Sequence, residues 1–100
     1  MNTKEKYTTK DLEIEFGLLT FGAALEAHRK CEEVSQKDFA KMLEITPQSL
    51  CDLEKGRRIP SPQRAAKIAR KIGHPENFWL QLAFQDMLKQ ENLEFSVSVA

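Results

Sequence analysis

The stretch from Ser35 to Gly56, SQKDFAKMLEITPQSLCDLEKG, admits few folds because helix start and stop signals are packed closely within it. Ser35 is placed to cap a first helix, its hydroxyl accepting an orphan amide, with Asp38 at the reciprocal place of a capping box. Phe39, Ala40 and Leu43 then recur at helical spacing and make one apolar stripe. Thr46 followed by Pro47 is a second start signal, a hydroxyl cap with proline in the first turn, where its missing N–H costs nothing. Leu50 and Leu53 are the buried positions of that second helix, and Gly56 is placed to end it in a left-handed conformation. Ala40 faces the turn, where a larger side chain would hold the second helix off the first. The stretch therefore predicts two short, closely packed helices joined through Glu44-Ile45-Thr46.

The flanking sequence adds more helices. Thr9 is placed to cap a short one over Lys10–Phe16, with Gly17 as its stop, and Thr20 caps the next. That helix runs to about Glu33 with Phe21, Ala24, Leu25, His28 and Cys31 on one face. Arg57-Arg58-Ile59-Pro60 reads as a loop. Ser61-Pro62 opens another helix with Ala65, Ile68, Ala69 and Ile72 as its stripe, while Arg64, Lys67 and Lys71 share a different face. From Pro75 to about Asn92 the chain is apolar around most of a helical circumference, through Phe78, Trp79, Leu80, Leu82, Ala83, Phe84, Met87 and Leu88. Such a helix needs cover on two sides, which predicts a second subunit. Glu94–Ala100 alternates strictly and reads as a strand with Phe95, Val97 and Val99 on one face, to be paired with its own copy or another protein.

One hundred residues suffice for one domain, and 41% hydrophobic with 30% charged content is ordinary for a soluble globular chain. No apolar run approaches the ~20 residues that span a bilayer, and Met1–Lys10 lacks a signal-peptide apolar region, so a cytoplasmic protein without membrane contact is expected. Cys31 and Cys51 are lone thiols without CxxC spacing, which fits a reducing compartment. The formal net charge is zero, yet residues 55–71 carry seven basic side chains and no acidic one. A basic block directly after the second short helix is the electrostatic footprint of a nucleic-acid reader. Enzymatic function is not expected. Nucleophilic catalysis needs a thiol or hydroxyl with a base and an orienting group, and the only histidines are His28 and His74. Phosphate-cradling glycine loops are absent, and His28 with Cys31 has no second pair to complete a metal site, so neither cofactor nor metal is expected.

The motifs SQKDFAKML, TPQSL, DLEKGRRIPSP and AAKIARKIG together resemble the Cro/CI-like (Xre) helix-turn-helix proteins over roughly Phe21 to Leu82, and PENFWLQLAFQ resembles the ending of HigA-type antitoxins. The resemblance implies an all-α fold: a five-helix, lambda-repressor-like helix-turn-helix domain over 20–92. A short N-terminal extension helix would lie within 1–19 and a C-terminal β-strand within 93–100. It implies a dimeric, sequence-specific regulator of double-stranded DNA with a pseudo-palindromic operator, a repressor of its own operon. The alternative is an antitoxin that also binds and neutralises a cognate toxin. By the same resemblance, Gln36 and Lys37 lie at the DNA backbone, with Gln36 also bracing the recognition helix. Thr46, Pro47, Gln48 and Ser49 form that helix's first turn, Cys51 and Asp52 face the groove further along, and Lys55, Arg57 and Arg58 track the phosphates. Arg29 and Glu54 correspond to an ion pair joining the first helix to the end of the recognition helix. Two departures are Glu44, where glycine is common, and Pro47, which shifts base reading to Gln48. The dimer interface is expected at Trp79, Phe84, Leu88, Phe95, Val97 and Val99.

Overall fold

The computed structural model describes residues 19–91. These form α1 (Phe21–Cys31), α2 (Gln36–Leu43), α3 (Pro47–Glu54), α4 (Pro62–Lys71) and α5 (Glu76–Gln90). Among the described residues every element is a helix and there is no strand. The expected helical domain with a C-terminal β-strand is corrected accordingly. A period-two pattern reports only which side chains share a face, and a strand without a partner in the chain leaves its backbone groups unsatisfied. The strand expected over 93–100 and the extension helix over Lys10–Phe16 both lie outside the described residues. No helix among the described residues is long and apolar enough to cross a membrane.

Helix starts follow the hydroxyl caps in the sequence. Thr20, Ser35, Thr46 and Ser61 each accept from the amide three residues on, at 3.0 to 3.2 Å. The ends of α1 to α4 share one device. The amides of Val34, Ile45, Arg57 and His74 donate to the carbonyls of Arg29, Ala40, Asp52 and Ala69, each five residues back, at 2.9 to 3.2 Å. The residue before each donor has a positive φ, which is the Schellman arrangement. Glycine supplies that conformation at Gly56 and Gly73, but Glu33 (φ 57°) and Glu44 (φ 60°) adopt it with a side chain, at a cost of about 1 kcal/mol each.

The core gathers one face from every helix: Phe21 and Leu25 of α1, Phe39 and Leu43 of α2, Leu50 and Leu53 of α3, Ile68 of α4, Trp79 and Leu82 of α5. Buried alanines at 24, 40, 65, 69 and 83 let the backbones approach. Trp79 is the largest buried side chain and stacks edge-on to Phe21 and Phe78, with centroids 5.3 and 5.4 Å away. At the start of α1 the Phe21 amide donates to Asp86 Oδ2 of α5 at 2.9 Å. Burial pushes the Asp86 carboxyl above its ordinary value, and the bond from Phe21 opposes that rise.

Gly22 sets how closely α1 meets α3. A Cβ there would overlap the Leu53 carbonyl oxygen and stand 2.9 Å from that of Glu54, both backbone atoms that no rotamer can move. Gly22→Ala should therefore destabilise the domain by about 2 kcal/mol despite the ~1 kcal/mol helix-propensity gain of alanine, lowering the melting temperature by about 10 °C. Ala23→Gly at the neighbouring exposed position should cost about 1 kcal/mol or less. Thermal unfolding followed by circular dichroism compares the two, and equal shifts would remove the close approach as the cause.

Candidate nucleic-acid interface

Helix α3 is short because its cap and its stop lie close together. Thr46 Oγ1 accepts from the Ser49 amide at 3.0 Å, and Pro47 opens the first turn. Leu50 and Leu53 point into the core, so the opposite side is presented outward. Pro47 and Gln48 are exposed there, with Ser49, Cys51 and Asp52 half-buried behind them. The C-terminal end closes through the left-handed Gly56, and the Asp52 carbonyl accepts from the amides of both Arg57 (2.9 Å) and Arg58 (3.2 Å). That fold-back sets two exposed arginines beside the last turn of α3, with exposed Lys55 next to them.

Behind this surface lies a buried charge. The Glu54 side chain has no solvent exposure and Arg29 is nearly as enclosed, with Nε 2.7 Å from Glu54 Oε2 and Nη2 donating to Oε1 at 3.2 Å. Gln36 Nε2 donates to the same Oε1 at 2.8 Å, and Arg29 Nη1 donates to the Val34 carbonyl at 3.0 Å. One carboxylate thus ties α1, the start of α2 and the end of α3 together, and the fork geometry supplies the stronger, charge-assisted kind of hydrogen bond. The bond to Glu54 raises the Arg29 pKa further above its ordinary value.

The outer polar groups are also interlinked. Asp52 Oδ1 accepts from Gln48 Nε2 and from Arg57 Nε, both at 3.0 Å, and Arg57 Nη2 lies 3.4 Å from Cys51 Sγ. Arg57 holds the Asp52 carboxyl below the usual carboxylate range. The basic block of residues 55–71 is weaker in the fold than its count implies. Lys71 pairs with Glu44 and Arg70 with Glu76, so two of its cations are matched by carboxylates.

Lys37 is exposed at the start of α2 beside Gln36. Trp79, expected at a subunit interface, is instead in the core of the single chain, because Phe21, Phe78 and His74 pack around its ring. Phe84 and Leu88 remain half-buried on α5 with Met87 exposed beside them, while Phe95, Val97 and Val99 lie outside the described residues. Gln36 reaches the end of α3 through Glu54, as a brace on that helix should, whereas sequence reasoning missed the Asp86 cap on α1 and the clearance at Gly22. Only Gly22 left a trace in the sequence, as a glycine inside a strong helical pattern.

A family model described as helix-turn-helix matches residues 25–78, over half of the chain. The chain belongs to the helix-turn-helix family. The family match ends at Phe78, inside PENFWLQLAFQ, and does not extend to the antitoxin-like ending. Over 65 residues the chain is 35% identical to endothelial differentiation-related factor 1 of Homo sapiens, covering 65% of this chain and 44% of that protein. A homolog from Gallus gallus is 38% identical over 55 residues, covering 55% of this chain and 37% of its own length. The chain spans less than half the length of these curated relatives. No solved structure matches it significantly.

The buried carboxylate carries the clearest stability prediction for this family member. Glu54→Ala leaves Arg29 enclosed without its counter-charge and Gln36 without its acceptor, at an expected cost of about 3 kcal/mol or more. Glu54→Gln keeps one acceptor and should cost less. Urea unfolding of the three proteins measures both, and a loss below 1 kcal/mol for alanine would show the charge to be dispensable.

Proposed function

We propose that this chain is a transcriptional regulator that binds double-stranded DNA in a sequence-specific way, with α3 as the recognition helix in the major groove. The observation that carries this reading is the outward face of α3, capped at Thr46, exposed at Pro47 and Gln48, and flanked by the basic loop Lys55–Arg58. Family membership supports it. The assigned roles follow from chemistry. Gln48, hydrogen-bonded to Asp52, offers an amide that pairs with adenine N6 and N7, and Ser49 and Cys51 face the adjoining bases. Thr46 and Pro47 fix the start of the helix against the groove. Gln36, Lys37, Lys55, Arg57 and Arg58 lie along phosphates and set register.

The active form in this proposal is a homodimer on a pseudo-palindromic operator, acting as a repressor of its own operon. Support for the dimer is the apolar strip of Phe84, Met87 and Leu88, which the described core leaves partly open. Support for the symmetric site is physical: one recognition helix reads only a few base pairs, and two copies about one DNA turn apart multiply the discrimination.

Selection from random duplexes followed by anisotropy titration tests the reading. A selected duplex should bind more tightly than random DNA, with affinity falling steeply as salt rises. Replacing Arg57 and Arg58 together by alanine should weaken binding to all sequences and flatten the log–log salt slope by about 0.9 for each phosphate no longer neutralised. An unchanged slope would show that this loop does not meet the backbone.

A further inference from the structure

The geometry points to Asp52 as a positioning residue that trades overall DNA affinity for sequence discrimination, by holding Gln48 and Arg57 on one carboxylate oxygen. This rests on the DNA-binding reading and adds a division of labour within its contact surface. Oδ1 of Asp52 lies 3.0 Å from Gln48 Nε2 and 3.0 Å from Arg57 Nε, so the two side chains are fixed relative to each other before any ligand arrives.

At Gln48 the effect is on base reading. A carboxamide has a donor end and an acceptor end that interchange by a simple rotation, and in an unsupported side chain both orientations are populated. A carboxylate one helical turn away accepts only from the nitrogen, which selects one orientation and removes rotamer freedom. The second N–H and the carbonyl oxygen then stay available side by side, which is the pair that adenine N7 and N6 require. Asp52 therefore acts on base reading through Gln48 without touching a base itself.

Arg57 carries the opposite effect. Its Nε is committed to Asp52 and one Nη to Cys51 Sγ, although over half of the side chain is exposed. A guanidinium engaged this way presents less of its fork to phosphate, and the ionised carboxylate beside it repels the backbone of any duplex, whatever its sequence. Asp52 thereby lowers random-sequence binding, where phosphate contacts supply nearly all the affinity. Weak general affinity and a pre-set reading amide both raise the ratio of specific to random binding.

Two variants separate the charge from the hydrogen bond. Asp52→Asn keeps an oxygen that accepts from Gln48 but loses the charge, while Asp52→Ala loses both. Titration of the selected duplex and of random duplex, each at several salt concentrations, reads the outcome, with circular dichroism as the folding control. Both variants should bind random DNA more tightly, with a salt slope steeper by up to about 0.9 as Arg57 gains a phosphate. Asp52→Ala should lower the specific-to-random ratio by about three- to tenfold, the equivalent of one hydrogen bond. Asp52→Asn should retain more of the preference at the base position that Gln48→Ala relaxes. With a wild-type protein that discriminates, an unchanged ratio in the alanine variant overturns the inference alone. So do equal losses of that preference in both variants, or unchanged random-DNA binding. A wild type that shows no preference for any duplex overturns the underlying reading and the inference with it.

Discussion

A carboxylate with no exposed surface must be matched by donors, and Glu54 is the point where that requirement organises the domain. Its side chain leaves the last turn of α3, the helix whose orientation matters most, and meets Arg29 of α1 and Gln36 of α2. Desolvating a charge costs several kcal/mol, and the bidentate fork with a third donor is what offsets it. The arrangement is intolerant of alternatives: a tilt of α3 would pull the carboxylate from donors on two other helices at once. An apolar contact in the same place could slide, whereas a forked charge pair fixes direction as well as distance. Gly22 works toward the same end, because its missing side chain lets α1 sit directly on the α3 carbonyls.

The outer face inherits its order from that inner one. With the end of α3 fixed, the Schellman turn at Gly56 returns the chain onto Asp52 and sets Arg57 and Arg58 beside the helix. The same turn ends α1, α2 and α4, so the helices meet through connections of a few residues each. Two of these turns place a glutamate in a left-handed conformation. At Glu44 the pairing with Lys71 of α4 accompanies that strained backbone and ties the short turn between α2 and α3 to a third helix.

Most of the helical fold was legible because four of the five described helices start on a hydroxyl cap and their buried stripes repeat at three and four residues. Thr20, Ser35, Thr46 and Ser61 all cap where the sequence places them. Legibility failed where the signal depends on what lies across space. Trp79 looked like interface because α5 is apolar nearly all round, yet Phe21 and Phe78 enclose it within one chain. The left-handed turn at Glu33 had no glycine to announce it, and α1 therefore ends before the expected residue. At the candidate interface the residue types and spacing could be read, since they belong to a motif local in sequence. The link from Asp52 to Gln48 is also local, one helical turn, but its sharing with Arg57 depends on the reversal at Gly56, which only the fold brings about. The basic block could be counted but not weighed, because Lys71 and Arg70 turn to acidic partners on other segments.

The orientation of α3 depends on the Arg29–Glu54 pair acting as one buried unit. A double-mutant cycle on Arg29→Ala and Glu54→Ala, read by urea unfolding, measures that coupling. The double variant should be far less destabilised than the two singles added together, with a coupling of about 1.5–3 kcal/mol. Additive losses, or a coupling within the roughly 0.2–1 kcal/mol of exposed pairs, would show that the two residues do not act as a unit and leave the packing around Gly22 as what holds α3 in place.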